Sequence, residues 1–107
     1  MTDTDLASIL QTLRAKLEQV LGEKVRAVYL FGSRARGDAA PDSDVDVLIV
    51  VRGAFDYWDL LGRTSEVVSA LSLQHDVVIS RCFVTQEQFE RGQSPFMLNV
   101  RREAVPV

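Results

Sequence analysis

Two short apolar runs in the first half of the chain constrain what it can fold into. Residues 25–31 are mostly β-branched or aromatic, and residues 45–51 are almost continuous valine, leucine and isoleucine. Such runs are typical of strands, and the second suits a strand covered on both faces. The segment 32–43 between them is rich in glycine, aspartate, serine and proline. We therefore predict two strands joined by a loop, with one helical turn after Ser33.

Helical periodicity surrounds these strands. Apolar residues recur at three- and four-residue spacing over 6–21 and again over 57–73, which predicts two long amphipathic helices. Thr4 or Asp5 is the expected cap of the first helix, and Asp56 is the expected cap of the second.

The last third of the chain contains three further predicted elements. A third strand is predicted over 76–80, with a possible extension to Val84. A Thr-x-x-Gln pattern predicts a short helix over 85–91, and a Ser-Pro pair predicts a last helix from Pro95 to about Glu103.

The order of these elements is helix, strand, strand, helix, strand, helix, helix. It predicts an α/β (α+β) fold with a small mixed β-sheet packed by helices. With 107 residues, of which 47% are hydrophobic, the chain can build one core but not two. We therefore predict a single domain over residues 1–107.

Charge and cysteine content limit the partners and the compartment. The net charge of −3 argues against a protein that mainly grips a nucleic-acid backbone. Cys82 is the only cysteine, so no intramolecular disulfide is possible and a reducing compartment fits. The acidic N-terminus does not resemble a signal peptide, and no apolar run is long enough to span a bilayer. The expected location is the cytoplasm, with no membrane or direct nucleic-acid partner.

Two carboxylates, Asp44 and Asp46, stand at the start of the second predicted strand. Alternate residues of a strand point to the same face, so these side chains should project side by side. Like charges this close raise each other's pKa unless a cation lies between them, and Mg²⁺ prefers carboxylate and phosphate oxygens. The pair predicts a metal site, although an Asp-x-Asp alone also fits an exposed strand start.

A Gly-Ser pair, Gly32 and Ser33, follows the first predicted strand directly. Glycine permits a close backbone approach, and free N–H groups at a tight turn bind anions. Arg34 and Arg36 lie close enough in sequence to pair with phosphate oxygens. These four residues predict a phosphate-binding turn, with an ordinary strand-to-helix turn as the structural alternative.

A third acidic residue, Asp76, is predicted to open the third strand, as Asp44 and Asp46 open the second. If the two strands are neighbours, Asp76 faces the same site. There it could bind a metal or accept the proton of an attacking hydroxyl. A turn-to-strand boundary residue is the structural alternative.

The Gly-Ser pair and the Asp-x-Asp ten residues later are much more specific together than apart. Their combination resembles the polymerase-beta-type nucleotidyltransferase superfamily. The strings FGSRARGD at 31–38 and SDVDV at 43–47 are similar to the minimal nucleotidyltransferase (MNT) group. The closing FMLNVRREAV at 96–105 also looks like the end of these short proteins.

The resemblance implies a polymerase-beta-like fold and a role for each matching residue. Gly32 and Ser33 would hold the triphosphate of a nucleotide. Asp44 and Asp46 would ligate Mg²⁺, with Asp46 bridging to a second ion, and Asp76 would match the third carboxylate. Two metal ions stabilise the attacking and the leaving oxygen when the α-phosphorus is attacked and pyrophosphate leaves.

Members of the MNT group are commonly encoded beside a HEPN-family toxin and act as its antitoxin, transferring AMP from ATP to a tyrosine of the toxin. The resemblance thus implies a Mg-dependent protein adenylyltransferase with ATP as substrate and a HEPN-family partner in a hetero-oligomer. The short chain leaves little room for its own acceptor pocket, which agrees with an acceptor on another chain. The alternatives are transfer to a small-molecule hydroxyl, a non-catalytic antitoxin that acts by binding, and a structural subunit.

Overall fold

A four-stranded mixed sheet is the centre of the computed structural model, which describes residues 2–107. Met1, the first residue of the predicted domain, lies outside the described residues. The strands are β1 (Val25–Phe31), β2 (Val45–Val51), β3 (Ile79–Thr85) and β4 (Val105–Pro106), in the spatial order β3-β2-β1-β4. β1 is antiparallel to both β2 and β4, whereas β2 and β3 are parallel.

The helices of the described residues lie on both sides of this sheet. They are α1 (Asp3–Leu21), α2 (Ser33–Arg36), α3 (Tyr57–His75), α4 (Gln86–Arg91) and α5 (Pro95–Glu103). α3 is the crossover that a parallel β2–β3 pair requires. None of these helices is both long and apolar enough to cross a membrane.

The core has two parts because β2 is covered on both faces. Val47 and Ile49 pack in a cluster with residues of α1 and α3. Leu48 and Val50 point the other way and pack with Met97 and Val100 of α5, in a second cluster. The prediction that β2 is buried on both faces is therefore confirmed. Asp46 has the parity of Leu48, so its side chain belongs to the α5 face of the sheet.

The predicted bounds of β1 and β2 are confirmed, but two predicted helix ends are wrong. Thr2, rather than Thr4 or Asp5, caps α1, because its hydroxyl accepts from the Asp5 N–H at 3.1 Å and Asp5 closes a capping box. α3 continues two residues beyond the predicted end, to His75.

The start of the third strand also differs from the prediction. Asp76 has φ 52° and ψ 50° and caps the C-terminus of α3, so β3 begins at Ile79 and Asp76 precedes it. β4 has no counterpart in the prediction because it is two residues long and contains Pro106, which gives no strand pattern.

The cap of α3 offers a test of the fold. The Asp56 carboxylate accepts from the N–H groups of Trp58 and Asp59 at 2.9 and 3.2 Å. We expect Asp56→Ala to lower the free energy of unfolding by about 1 kcal/mol, because these N–H groups lose their acceptor. Asp56→Asn keeps a good cap and should stay near wild type. Urea unfolding measures both, and equal stability of the Ala and Asn variants would contradict this assignment.

Candidate functional site

The pairing of β1 with β2 brings the Gly-Ser turn against the aspartates. Phe31, the last residue of β1, is paired with Asp46, so Gly32 follows directly beside that carboxylate. A Cβ at Gly32 would overlap Asp46 Oδ2 and lie 3.2 Å from its Cγ. Gly32 also has φ +75°, in the region that side chains disfavour. Two independent constraints therefore require glycine at this position.

The turn after Gly32 is short and well bonded. The Gly32 carbonyl accepts from the N–H groups of Ala35 and Arg36, both at 3.1 Å, which forms the four-residue α2. Gly37 ends α2 in the left-handed conformation. The single helical turn predicted after Ser33 is confirmed, and it leaves Ser33 at the edge of the site, half-buried.

Unfavourable charge accumulates at Asp46. Partial burial raises the pKa of the Asp46 carboxyl above its usual value, and the nearby Asp44 raises it further. Arg36 lowers that pKa, whereas Glu103 raises it. A desolvated carboxylate next to a second one is stabilised when a cation binds between them. A cation bound beside Asp46 would lower the cost of this charge.

Both arginines of the predicted phosphate turn are engaged with groups of this chain. Arg34 donates to the Ser43 carbonyl from Nε at 3.1 Å and from Nη2 at 2.7 Å, which holds the loop just before Asp44. Arg36 pairs with Asp38 at 3.3 Å and with Glu103 at 3.0 Å. Arg34 therefore has a loop-holding role that the sequence did not indicate, and phosphate contact by either arginine stays a prediction.

Glu103 is the residue of this site that sequence reasoning missed. It ends α5, and its Oε1 accepts from the Gly32 N–H at 3.0 Å while its Oε2 accepts from Arg36. The only indication in the sequence that Glu103 matters was its position in the string FMLNVRREAV at 96–105. A glutamate at a helix end is usually solvent-exposed, so nothing local connected it to Gly32.

Asp76 lies before β3 and not on it. It is exposed at the end of α3, and it lines an open groove of about 470 Å³ with Ser43 and Val78. The residue of β3 paired with Asp46 is Ser80, so the strand position beside Asp46 carries a hydroxyl. The expectation that Asp76 opens β3 is wrong, because Asp76 adopts the left-handed conformation that ends α3, and β3 begins three residues later at Ile79.

The donor set fits Mg²⁺ held jointly with a phosphate ligand. Within residues 2–107, no group of three or more acidic, histidine or cysteine side chains is arranged to hold a metal. Mg²⁺ in nucleotide sites is usually bound by one or two carboxylates, substrate phosphates and water. Asp44 and Asp46 would supply the two carboxylates.

The requirement for glycine beside Asp46 can be tested against a second glycine. We expect Gly32→Ala to lower the free energy of unfolding by roughly 1–3 kcal/mol, from the strained φ and the overlap with Asp46. Gly62 is the control, because it lies inside α3 with nothing within 4 Å of an added Cβ. Gly62→Ala should stabilise by about 0.5–1 kcal/mol. Chemical denaturation measures the unfolding free energy of both variants. Equal changes in the two would contradict the close approach of Gly32 to Asp46.

The charge at Asp46 has a pH-dependent consequence. Without divalent cations at pH 7, we expect Asp46→Asn to raise the free energy of unfolding, since the folded chain disfavours this charge. The gain should shrink as the pH falls through the raised pKa towards the 3.8 of the unfolded chain, because the wild-type carboxyl then also becomes neutral. Unfolding curves with a chelator at several pH values measure it, with the exposed Glu66→Gln as control. A less stable Asn variant at pH 7 would contradict the prediction.

Comparison with known proteins identifies the family. The nucleotidyltransferase domain matches residues 10–105 of the chain. The "Putative protein adenylyltransferase MJ0141" of Methanocaldococcus jannaschii is 34% identical over 76 residues, which are 71% of this chain and 76% of that protein. "Putative protein adenylyltransferase MJ0604" of the same organism is 35% identical over 68 residues, covering 64% of this chain and 62% of that protein.

Solved structures agree on the fold. A "putative nucleotidyltransferase" of Sulfolobus solfataricus superposes with a TM-score of 0.58 at 21% identity, over 99% of this chain and 87% of that one. A Y104A mutant of the toxin–antitoxin MntA-HpeT gives 0.60 at 20% identity, over 91% and 70%. At such identities the likeness concerns the fold alone, which is that of the polymerase-beta-like nucleotidyltransferases. Since the domain match covers nearly the whole sequence, the chain belongs to the nucleotidyltransferase domain family.

Proposed function

We propose that this chain is a Mg-dependent protein adenylyltransferase that moves AMP from ATP to a tyrosine hydroxyl of a HEPN-family toxin and thereby acts as its antitoxin. The observation that carries the proposal is the close approach of Gly32 to Asp46, which brings the Gly-Ser turn, our candidate for triphosphate binding, next to the carboxylate pair. Family membership and the two adenylyltransferase relatives support the reaction class. A toxin–antitoxin structure with AMP-PNP, similar in fold at a TM-score of 0.57 and 19% identity, supports the nucleotide and the partner.

Each proposed role follows from the position of the residue. Gly32 would let the backbone pass close to the triphosphate, and Ser33 would bind it through its N–H group and hydroxyl, because the Gly32 N–H is bonded to Glu103. Asp44 and Asp46 would hold Mg²⁺, and we propose two ions at this site. Bound metal would neutralise the charge that develops on the attacking and leaving oxygens.

The reaction requires one bond to form and one to break. The acceptor oxygen attacks the α-phosphorus of ATP. The bond between this phosphorus and the oxygen that bridges the α- and β-phosphates breaks, and pyrophosphate leaves. The acceptor hydroxyl gives up its proton to a base. The task of this chain is mainly to orient the triphosphate in line with the acceptor and to fix the charges around it.

A protein acceptor fits the surface beside the aspartates. The groove that Asp76 lines also contains Leu73 and Val78, which are 84% and 61% exposed. Exposed apolar side chains next to a reactive site are typical of a surface that a partner covers. Asp76 is our candidate for the proton acceptor, because this groove adjoins Ser43 and hence Asp44.

The decisive experiment uses the protein encoded by the neighbouring reading frame. We expect intact-mass analysis of that partner, after incubation with this chain, ATP and Mg²⁺, to show the gain of one or more AMP groups. The Asp44→Asn/Asp46→Asn variant should transfer none. A double variant of exposed glutamates, Glu66→Gln/Glu87→Gln, removes the same charge elsewhere and should act like wild type. If the partner loses its toxicity without any gain in mass, the proposed enzymatic activity is wrong, and the alternative of a non-catalytic antitoxin that acts by binding is favoured.

The role of Asp76 can be separated from that of the metal ligands. Asn tolerates the left-handed conformation of this position, so Asp76→Asn removes the charge and keeps the helix cap. If Asp76 accepts the proton, the transfer rate should fall roughly 100-fold or more while ATP binding is unchanged. Single-turnover kinetics and calorimetry measure the two quantities. An unchanged rate would remove Asp76 from the mechanism.

A further inference from the structure

Glu103 joins the C-terminal helix to the turn that is proposed to receive the triphosphate. One carboxylate oxygen accepts from the Gly32 N–H and the other accepts from Arg36 Nη1, each at 3.0 Å. The Glu103 side chain is only 20% exposed, the least of any residue in the ion pairs of the described chain. A single side chain therefore fixes two residues that lie about seventy positions earlier in the sequence.

The elements around Glu103 hold it in place. Met97 and Val100 anchor α5 in the core, on the same side of the sheet as Asp46. Beyond the helix the chain enters β4, in which Val105 pairs with Leu30 near the end of β1. Because β1 leads directly into Gly32, the end of α5 and the turn are attached to the same strand.

The placement of this carboxylate has an electrostatic cost. Glu103 adds a third negative charge near Asp44 and Asp46, and it raises the pKa of the Asp46 carboxyl. Arg36 offsets part of that cost, and bonds to an ionised acceptor are the stronger kind of hydrogen bond. Glycine has more backbone freedom to lose than any other residue, so the bond to Glu103 restrains the turn at a position with much freedom to lose.

We propose that Glu103 is a positioning residue for nucleotide binding. Through its bonds to Gly32 and Arg36 it keeps the Gly-Ser backbone in the conformation that receives the triphosphate. This inference rests on the proposed function, since it assigns Glu103 a task in the same site.

The bond to Gly32 can be tested without any nucleotide. In amide hydrogen exchange followed by NMR, we expect the Gly32 N–H to be protected in the wild type. Glu103→Ala should speed its exchange by about tenfold or more, as a charge-assisted bond is lost. Glu103→Gln retains an oxygen acceptor and should keep most of the protection. Glu66→Ala and Glu66→Gln are the matched surface controls. Unchanged Gly32 exchange in Glu103→Ala would overturn the proposal.

The consequence for binding is tested with a non-hydrolysable ATP analogue and Mg²⁺. At a temperature where both variants are fully folded, we expect the Kd of Glu103→Ala to rise about tenfold, with Glu103→Gln recovering most of the affinity. If Glu103→Ala does not fold, Glu103→Asp, which is one methylene too short to reach both partners, takes its place. Wild-type affinity in the Ala or Asp variant would overturn the role of Glu103 alone. Absence of binding by the wild type would instead overturn the proposed function, and this role with it.

Discussion

The antiparallel pairing of Phe31 with Asp46 is the constraint on which the site depends. It places the end of β1 beside the start of β2, so the two ends of the loop that joins these strands lie close together. Only glycine fits at position 32, because its backbone passes against the Asp46 carboxylate. A one-residue shift in this register would turn Asp46 to the opposite face of the sheet. The core residues of β2 therefore also determine where the aspartates point.

The two faces of the sheet carry different parts of the proposed chemistry. Asp46 belongs to the α5 face, where Glu103 and Arg36 surround the turn. Asp76 ends α3, which packs on the other face, and it lines a groove with Ser43, the residue before Asp44. The described chain thus presents two neighbouring carboxylates, whose negative charge a bound metal ion would offset.

Local patterns predicted most of the fold, and the reason is physical. β1, β2 and the cap of α3 depend on side-chain type at adjacent positions, so the sequence specified them correctly. Asp76 was misplaced because a left-handed cap and a strand start look alike in sequence. Glu103 was missed because its partners are distant along the chain. Such contacts form only when α5 and β4 pack against β1 in the folded chain, so they leave no periodic pattern in the sequence.

The most direct test of the central claim is calorimetric titration of the wild-type chain with a non-hydrolysable ATP analogue, with and without Mg²⁺. If the Gly32 turn and the Asp44–Asp46 pair form one joint site, the analogue should bind with Mg²⁺ and lose most of its affinity when the metal is chelated. Asp46→Asn should then bind weakly whether or not the metal is present. Equal affinity with and without Mg²⁺, or full affinity in the Asn variant, would contradict the account.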